Sequence, residues 1–135
     1  MVNVFVDTSF FKALVDNKDD FHLKAVKIWE NLSHEKPLLV TTNYVLDEVF
    51  TLIRTRGGLK KVDQFRQFLA QAGSEIKIVR IAVNDEAMAW DWFLKNWSGL
   101  SFTDCVSFAV MNRLGITKVL TFDDHFSRAG FKVIS

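Results

Sequence analysis

Apolar residues recur along the chain in two patterns, short continuous runs and longer stretches with helical spacing. The short runs predict β-strands, at residues 2–6, 38–41, 76–81, 118–122 and 132–134. Between them, apolar residues three or four positions apart predict helices, over residues 9–15, 21–32, 43–56, 60–72, 84–96 and 102–114. In the second of these helices, Leu23 and Val26 are among the residues expected to face the core.

Strands that alternate with helices predict the fold class. A strand, a helix and a second strand in succession form a βαβ unit, in which the two strands are parallel. We therefore expect a three-layer α/β/α architecture with a central, mainly parallel sheet of four or five strands. No linker, repeat or low-complexity segment interrupts residues 1–135, which predicts a single domain. In such sheets, binding sites form beyond the carboxyl ends of the strands.

Composition and charge exclude several classes of protein. Apolar residues make up 49% of the 135 positions, which excludes a disordered chain. No apolar run approaches the roughly 20 residues that a membrane helix needs, and Met1 is followed by strand-like residues rather than a signal peptide. A cytoplasmic location is expected, because the single cysteine, Cys105, fits a reducing compartment as a core thiol. The net charge of +1 is not a general signature of nucleic-acid binding.

Four carboxylates change this picture, because each lies where a parallel sheet would gather it. Asp7 follows the first predicted strand, and Asp123 follows the fourth. Glu48 lies within the third predicted helix, and Asp104 is near the start of the last one. Carboxylates that converge without a neighbouring lysine or arginine repel one another unless a cation joins them. Since Mg²⁺ and Mn²⁺ prefer carboxylate oxygens, the first hypothesis is a divalent metal site.

Two of these acids also have a purely structural interpretation. Asp7 could cap the helix that follows it, although Thr8 and Ser9 could do so equally well. Asp104 matches a capping box with Ser101, and capping is compatible with metal binding. The helix that contains Asp104 is apolar almost all round, so its carboxylate is expected to be buried, at a cost of several kcal/mol without a partner.

Glu48 and Asp123 each lie next to another acid, Asp47 and Asp124, and the position of each along its helix or strand tells the pair apart. On a helical wheel, Glu48 lies at the margin of the apolar face while Asp47 points away from it. Glu48 is therefore expected to be half-buried and Asp47 to face solvent. Asp123 comes first after its strand and is expected to face the site. Asp124 is expected to be exposed or to have a secondary role.

Taken together, these residues resemble the PIN-domain nucleases, and within them the VapC-like toxins of toxin–antitoxin pairs. The matching pieces span nearly the whole chain, at residues 4–9, 41–48, 100–105, 107–111 and 119–123, with Phe126 and Gly130-Phe131 near the end. The resemblance implies a metal-dependent ribonuclease that cuts single-stranded or loop regions of RNA. The ligands it implies for one or two Mg²⁺ or Mn²⁺ ions are Asp7, Glu48, Asp104 and Asp123.

The resemblance also implies neighbouring groups and partners. Thr8, Ser9 and Thr103 would orient the carboxylates or touch phosphate, and the role of Asp124 is left open. The implied partners are an RNA substrate, an antitoxin protein that blocks the site, and a second copy of the chain in a homodimer. The aromatic-rich residues 90–97 are a candidate for the contact between copies, with core packing as the alternative.

Other sites that place an acid after the first strand fit less well. A haloacid-dehalogenase-like phosphotransferase needs a second Asp two residues later, but position 9 is Ser. A response-regulator receiver needs adjacent acids around the first strand and a late strand that ends in lysine, and neither is found. A zinc enzyme is disfavoured because His22, His34 and His125 are scattered along the chain. The remaining alternative is a catalytically silent PIN-like module that binds RNA or protein.

Overall fold

The computed structural model describes residues 2–135 and contains a five-stranded sheet in which every neighbouring pair of strands is parallel. The strands are β1 (Asn3–Val6), β2 (Leu38–Thr42), β3 (Ile76–Val79), β4 (Lys118–Leu120) and β5 (Lys132–Val133). Their order across the sheet is β3-β2-β1-β4-β5. The parallel sheet predicted from the alternation of strands and helices is confirmed.

Seven helices within the described residues flank this sheet and complete the predicted α/β/α architecture. They are α1 (Thr8–Val15), α2 (His22–Glu35), α3 (Asn43–Gly57), α4 (Leu59–Gln71), α5 (Val83–Phe93), α6 (Phe102–Leu114) and α7 (Asp124–Arg128). None of them combines the length and the hydropathy that crossing a membrane requires.

The first strand occupies the centre of the sheet. In β1, Phe5 is in register with Val40 of β2, and Val6 is in register with Leu120 of β4. Phe5 and Val6 are fully buried because helices cover both faces of a parallel sheet. Since the strands run in one direction, the chain leaves β1, β2 and β4 at the same edge. The carboxyl end of β1 therefore lies between the ends of its two neighbours.

Three strands, β3, β4 and β5, end earlier than predicted, and at the ends of β3 and β4 side chains take over the role of the strand ladder. β4 ends at Leu120, and the Thr121 hydroxyl then donates to Asp7 at 2.8 Å. β3 ends at Val79, and the backbone N–H of Ile81 donates to the side-chain oxygen of Asn43 at 2.9 Å. Both hydrogen bonds lie at the carboxyl edge of the sheet, where polar side chains replace the regular backbone pairing between strands.

The prediction of which residues of α2 face the core is wrong at the start of the helix. Leu23 is 83% exposed, whereas Ala25, Ile28 and Leu32 form the buried face. The cause is local, because the imidazole Nδ1 of His22 lies 2.8 Å from the Ala13 carbonyl oxygen and fixes His22 toward α1. The next residue is rotated by about 100° around the helix and points to solvent.

The core between the layers is rich in aromatic side chains. Its largest fully buried members are phenylalanines, at Phe5, Phe10, Phe11, Phe65, Phe108 and Phe126. Cys105 is also fully buried, as expected of a core thiol. The aromatic residues 90–97 divide between two roles, since Trp92 and Trp97 pack against the core while Trp90 and Phe93 are 49% and 37% exposed.

Candidate metal centre

Asp7 is held at the carboxyl end of β1 by hydroxyl groups. Its Oδ2 accepts hydrogen bonds from the Thr121 hydroxyl at 2.8 Å, the Ser9 hydroxyl at 2.9 Å and the Ser9 backbone N–H at 3.4 Å. The last contact makes Asp7 the N-cap of α1, so its structural interpretation is correct. All of these hydrogen bonds involve Oδ2. The other carboxylate oxygen, Oδ1, is buried and has no hydrogen-bond partner in the described residues.

The surroundings of Asp7 favour its protonated form. Burial raises the pKa of Asp7 to about 6, against the opposing hydrogen bonds from Thr121 and Ser9, and the charge of Asp123 adds to the increase. Only 2% of the residue is exposed to solvent. A carboxyl group in this position is ionised at neutral pH at the expense of folding free energy unless a positive charge stabilises it.

Asp104 lies in the first turn of α6 and forms the predicted capping box. The Asp104 backbone N–H donates to the Ser101 hydroxyl at 3.0 Å, and the Ser101 backbone N–H donates to Asp104 Oδ2 at 3.3 Å. Burial, together with the charges of Asp7 and Asp123, raises the pKa of Asp104 to about 7. The charges of Asp7 and Asp123 both act on Asp104, so the three aspartates share one electrostatic environment.

Asp123 reaches the same place from the end of β4. It caps α7, with Oδ1 accepting the His125 backbone N–H at 2.8 Å. Asp123 is partly buried, whereas Asp124 is exposed at the start of α7. The expected difference in burial between these two acids therefore holds. No contact in the described residues gives Asp124 a role at the site.

His125 lies beside two of the acids, and sequence reasoning missed it. Its Nδ1 is 3.0 Å from Asp123 Oδ1 and 3.8 Å from Asp104 Oδ2. Asp104, Asp123 and His125 each offer one ligand atom, and these atoms lie within 4.8 Å of one another. The three histidines are scattered along the chain, but this one lies at the site. The available signal was its position, two residues after Asp123 in the turn that opens α7.

Glu48 occupies the position on α3 that the helical wheel predicted. It is partly buried and Asp47 is exposed, while the helix itself begins where the Thr42 hydroxyl accepts the Val45 backbone N–H at 3.1 Å. However, the group of ligand atoms within 4.8 Å of one another, among residues 2–135, contains neither Glu48 nor Asp7. Asp104 and Asp123 therefore lie within ligand distance of a shared ion. Asp7 is near enough for its charge to act on Asp104, whereas Glu48 is not part of the group.

The hydroxyl residues near the acids differ in their contacts. The Ser9 hydroxyl bonds Asp7, lies 3.1 Å from the Thr121 hydroxyl and accepts the Phe122 backbone N–H at 3.0 Å. Thr8 is buried, and its hydroxyl has no partner among the described residues. Thr103 contacts a neighbour through its backbone carbonyl, which accepts the Ser107 hydroxyl at 2.9 Å. Ser9 and Thr121 are therefore the residues that orient Asp7.

Comparison with known proteins places this arrangement in a family. A protein-family model described as the PIN domain matches residues 4–132. The chain belongs to the PIN-domain family. It is also 33% identical over 129 residues, covering 95% of both chains, to the 23S rRNA-specific endonuclease VapC20 of Mycobacterium tuberculosis, in the strains CDC 1551 / Oshkosh and ATCC 25618 / H37Rv. The resemblance to VapC-like proteins inferred from the motifs is thereby confirmed.

Solved structures agree with the sequence relationship. The crystal structure of Mycobacterium tuberculosis VapC20, a sarcin-ricin loop cleaving toxin, matches this PIN domain with a TM-score of 0.84 and 32% identity, over 95% of each chain. FitAcB from Neisseria gonorrhoeae matches with a TM-score of 0.66 and 15% identity, over 98% of this chain and 96% of the other. The second likeness shows a shared fold alone.

The residues of this PIN domain fit a divalent cation. Asp7 Oδ1 and His125 Nδ1 are buried atoms without a hydrogen-bond partner in the described residues. The lysines and arginines that form ion pairs within residues 2–135 do so with other acids, at Asp19, Asp63 and Asp85. A cluster of carboxylates in which the pKa values of Asp7 and Asp104 are raised, with no lysine or arginine paired to it, is suited to Mg²⁺ or Mn²⁺.

Proposed function

We propose that this PIN domain is a metal-dependent endoribonuclease that hydrolyses RNA phosphodiester bonds, and that it is the toxin of a toxin–antitoxin pair. The observation that carries the proposal is the group of three aspartates at the carboxyl edge of the sheet. Asp7 and Asp104 are buried with raised pKa values, and Asp123 contributes to both increases. The name of the relative VapC20, a 23S rRNA-specific endonuclease, points to RNA as the substrate class.

Four acids have proposed roles in holding Mg²⁺ or Mn²⁺. Asp7 and Asp104 are the principal ligands and Asp123 is a further ligand, because burial and mutual repulsion favour a cation at this place. Glu48 is a ligand or orients the attacking water from α3. When bound, one or two divalent ions supply Lewis-acid activation of water and neutralise charge on the phosphate.

Other side chains of the protein orient the proposed ligands. Ser9 and Thr121 donate to the same oxygen of Asp7, which leaves the other oxygen free for a cation. Ser101 holds Asp104 through the capping box, so that the carboxylate does not depend on metal for its orientation. Thr8, Thr103 and Asp124 complete the proposed set as groups near phosphate or the carboxylates.

An aromatic stack beside the acids offers a place for an RNA base. The ring of Phe122, the residue before Asp123, lies between those of Phe10 and Phe21, at centroid distances of 5.8 and 4.6 Å. The planes differ by only 15° and 7°. Phe10 is buried while Phe21 is 47% exposed, so the stack runs from the core to the surface. A base of single-stranded RNA could add to its outer end.

The decisive experiment maps RNA cleavage ends. Purified protein with Mn²⁺ or Mg²⁺ should produce discrete 5′ ends on ribosomal RNA, and Asp7→Asn should remove them. Asp47→Asn is the matched control, since Asp47 is an exposed acid on α3. If wild type and Asp7→Asn leave RNA equally uncut, the protein is instead a catalytically silent PIN-like module.

The proposed partners are an antitoxin protein that blocks the site and a second copy of the chain in a homodimer, and the proposed location is the cytoplasm. The partly exposed Trp90 and Phe93 on α5 are the proposed contact between copies. A small neighbouring gene for a DNA-binding protein would support the toxin assignment. Light scattering at micromolar concentration tests the dimer, and a monomer would remove it from the proposal.

A further inference from the structure

The imidazole of His125 is held in one orientation by the loop that precedes α6. Its Nε2 lies 2.8 Å from the Ser98 carbonyl oxygen. A carbonyl oxygen only accepts, so Nε2 carries the hydrogen in this contact. The Trp97 ring stacks beside the imidazole, with 6.3 Å between centroids and 16° between planes, and Arg128 packs over Trp97 at 4.3 Å. The Ser98 contact makes Nε2 a hydrogen-bond donor, and the Trp97 stack sets the direction of the ring.

This orientation points the second ring nitrogen at the acids. Nδ1 is 3.0 Å from Asp123 Oδ1 and 3.8 Å from Asp104 Oδ2, yet it is buried and makes no hydrogen bond in the described residues. With the hydrogen on Nε2, a neutral imidazole presents a lone pair at Nδ1. A lone pair facing two carboxylates is repelled by them. A cation placed among the three groups converts this repulsion into attraction.

We propose that Nδ1 of His125 is a direct ligand of the metal ion, so that Asp104, Asp123 and His125 form a mixed oxygen and nitrogen site that favours Mn²⁺ over Mg²⁺. The proposal rests on the metal-dependent function above and adds a donor to it. Histidine ligands in proteins commonly donate their other N–H to a backbone carbonyl, which is the contact that His125 makes with Ser98.

The donor type determines the selectivity. Mg²⁺ retains water and takes oxygen ligands. Mn²⁺ shares that preference for carboxylates but, even as the weakest-binding of the first-row divalent transition metals, gains more from an added imidazole nitrogen than Mg²⁺ does. Zn²⁺ would bind such a site more tightly than Mn²⁺ in raw affinity, so the inference concerns the discrimination between Mn²⁺ and Mg²⁺. Removal of the imidazole nitrogen should lower the affinity for Mn²⁺ by at least the roughly 10-fold that loss of an outer-shell partner alone costs. The affinity for Mg²⁺ should change much less.

The test measures nitrogen coordination to bound Mn²⁺ without RNA, so it does not depend on activity. Electron spin echo modulation should detect a ¹⁴N nucleus coupled to Mn²⁺ in wild type. Protein labelled with ¹⁵N-histidine should show the ¹⁵N frequencies instead. This comparison uses the unaltered protein and therefore does not depend on the folding of any variant.

Variants assign the signal to one residue. In His125→Gln the side-chain amide can still donate a hydrogen bond to the Ser98 carbonyl, but no imidazole nitrogen with a lone pair faces the acids. This variant should lose the nitrogen coupling and bind Mn²⁺ more weakly, whereas His34→Gln, at an exposed position on α2, should behave as wild type. Calorimetric titrations with Mn²⁺ and Mg²⁺ provide the affinities, and metal-free melting shows that each variant is folded.

The possible results separate this inference from the proposed function. Mn²⁺ that binds without nitrogen coupling, with equal affinity in His125→Gln, overturns the role of His125 and leaves the acid-based nuclease standing. RNA cleavage with Mg²⁺ that is unaffected by His125→Gln agrees with the inference if Mn²⁺ binding falls. Absence of any binding of Mn²⁺ or Mg²⁺ to wild type would overturn both.

Discussion

Asp104→Asn should make the metal-free protein more stable at pH 8, although it removes a residue proposed to act at the site. Asparagine has nearly the same shape, and its side-chain oxygen can still accept the Ser101 backbone N–H that completes the capping box. The substitution therefore removes the charge while keeping the local structure. What it removes is a buried anion that lies near two others, Asp7 and Asp123.

The magnitude follows from the pKa of Asp104. Burial and the neighbouring acids raise this pKa from 3.8 to about 7, so the folded state holds a proton that the unfolded chain has released between these pH values. Stability contributed by Asp104 is present below pH 3.8 and is lost as pH rises through about 7. Since one pKa unit corresponds to about 1.36 kcal/mol, the loss is about 4 kcal/mol by pH 8.

Urea unfolding with chelator present is the assay, performed at pH 4 and pH 8. The variant should exceed wild type in unfolding free energy by about 2–4 kcal/mol at pH 8, and the two should nearly coincide at pH 4. Mn²⁺ or Mg²⁺ at about 1,000 times its Kd should then remove or reverse the difference, because it stabilises wild type by about 4.1 kcal/mol and the variant far less. Asp47→Asn, on exposed helix surface, is the control.

Two results would refute this reasoning. If Asp104→Asn is less stable than wild type at pH 8 by the same amount as at pH 4, burial of the charge is not the dominant effect. If metal ions leave wild type unchanged in stability, the three aspartates do not form a cation site. The first result concerns the electrostatics of the metal-free fold and the second concerns the proposed cofactor, so the two failures are distinguishable.

Three further predictions concern the stack, a helix ion pair and Glu48. Phe21→Ala should weaken binding of single-stranded RNA by about 1–3 kcal/mol in fluorescence anisotropy, while Leu23→Ala, at an exposed neighbouring position, should not. Asp85 is buried, which opposes its ionisation, but hydrogen bonds from Arg113 bring the pKa of Asp85 below its usual value. Arg113→Met should therefore cost about 2 kcal/mol at neutral pH, and less as pH falls toward 3, in urea unfolding. Glu48→Gln should slow RNA cleavage by about 10²-fold or more in single-turnover assays, whereas Asp47→Asn should not.

The fold could be predicted from the sequence because its signals are local. Apolar runs of strand length and helical spacing are each properties of a few consecutive residues, and their alternation leads to a parallel sheet. Errors occurred where a tertiary contact overrides local spacing. Leu23 has the correct spacing for the inner face of α2, but the contact of His22 with the Ala13 carbonyl turns it to solvent.

The acids of the candidate site could be predicted to the extent that topology places them. Asp7 and Asp123 follow neighbouring parallel strands, and such residues meet at one edge in any sheet of this kind. Asp104 required a different argument, since a carboxylate in an apolar helix needs a partner. The distance from Glu48 to the others is set by how α3 packs on the sheet, and a helical wheel contains no information about that packing.

His125 shows why the nitrogen donor escaped prediction while the oxygen donors did not. Its sequence neighbours say only that it follows two acids. Its use as a donor depends on which nitrogen carries the hydrogen, and that is decided by the Ser98 carbonyl, 27 residues earlier in the chain. A backbone carbonyl is present at every residue, so no side-chain motif marks this partner. A histidine beside acids in sequence therefore becomes a candidate ligand only once the partner of its other nitrogen is known.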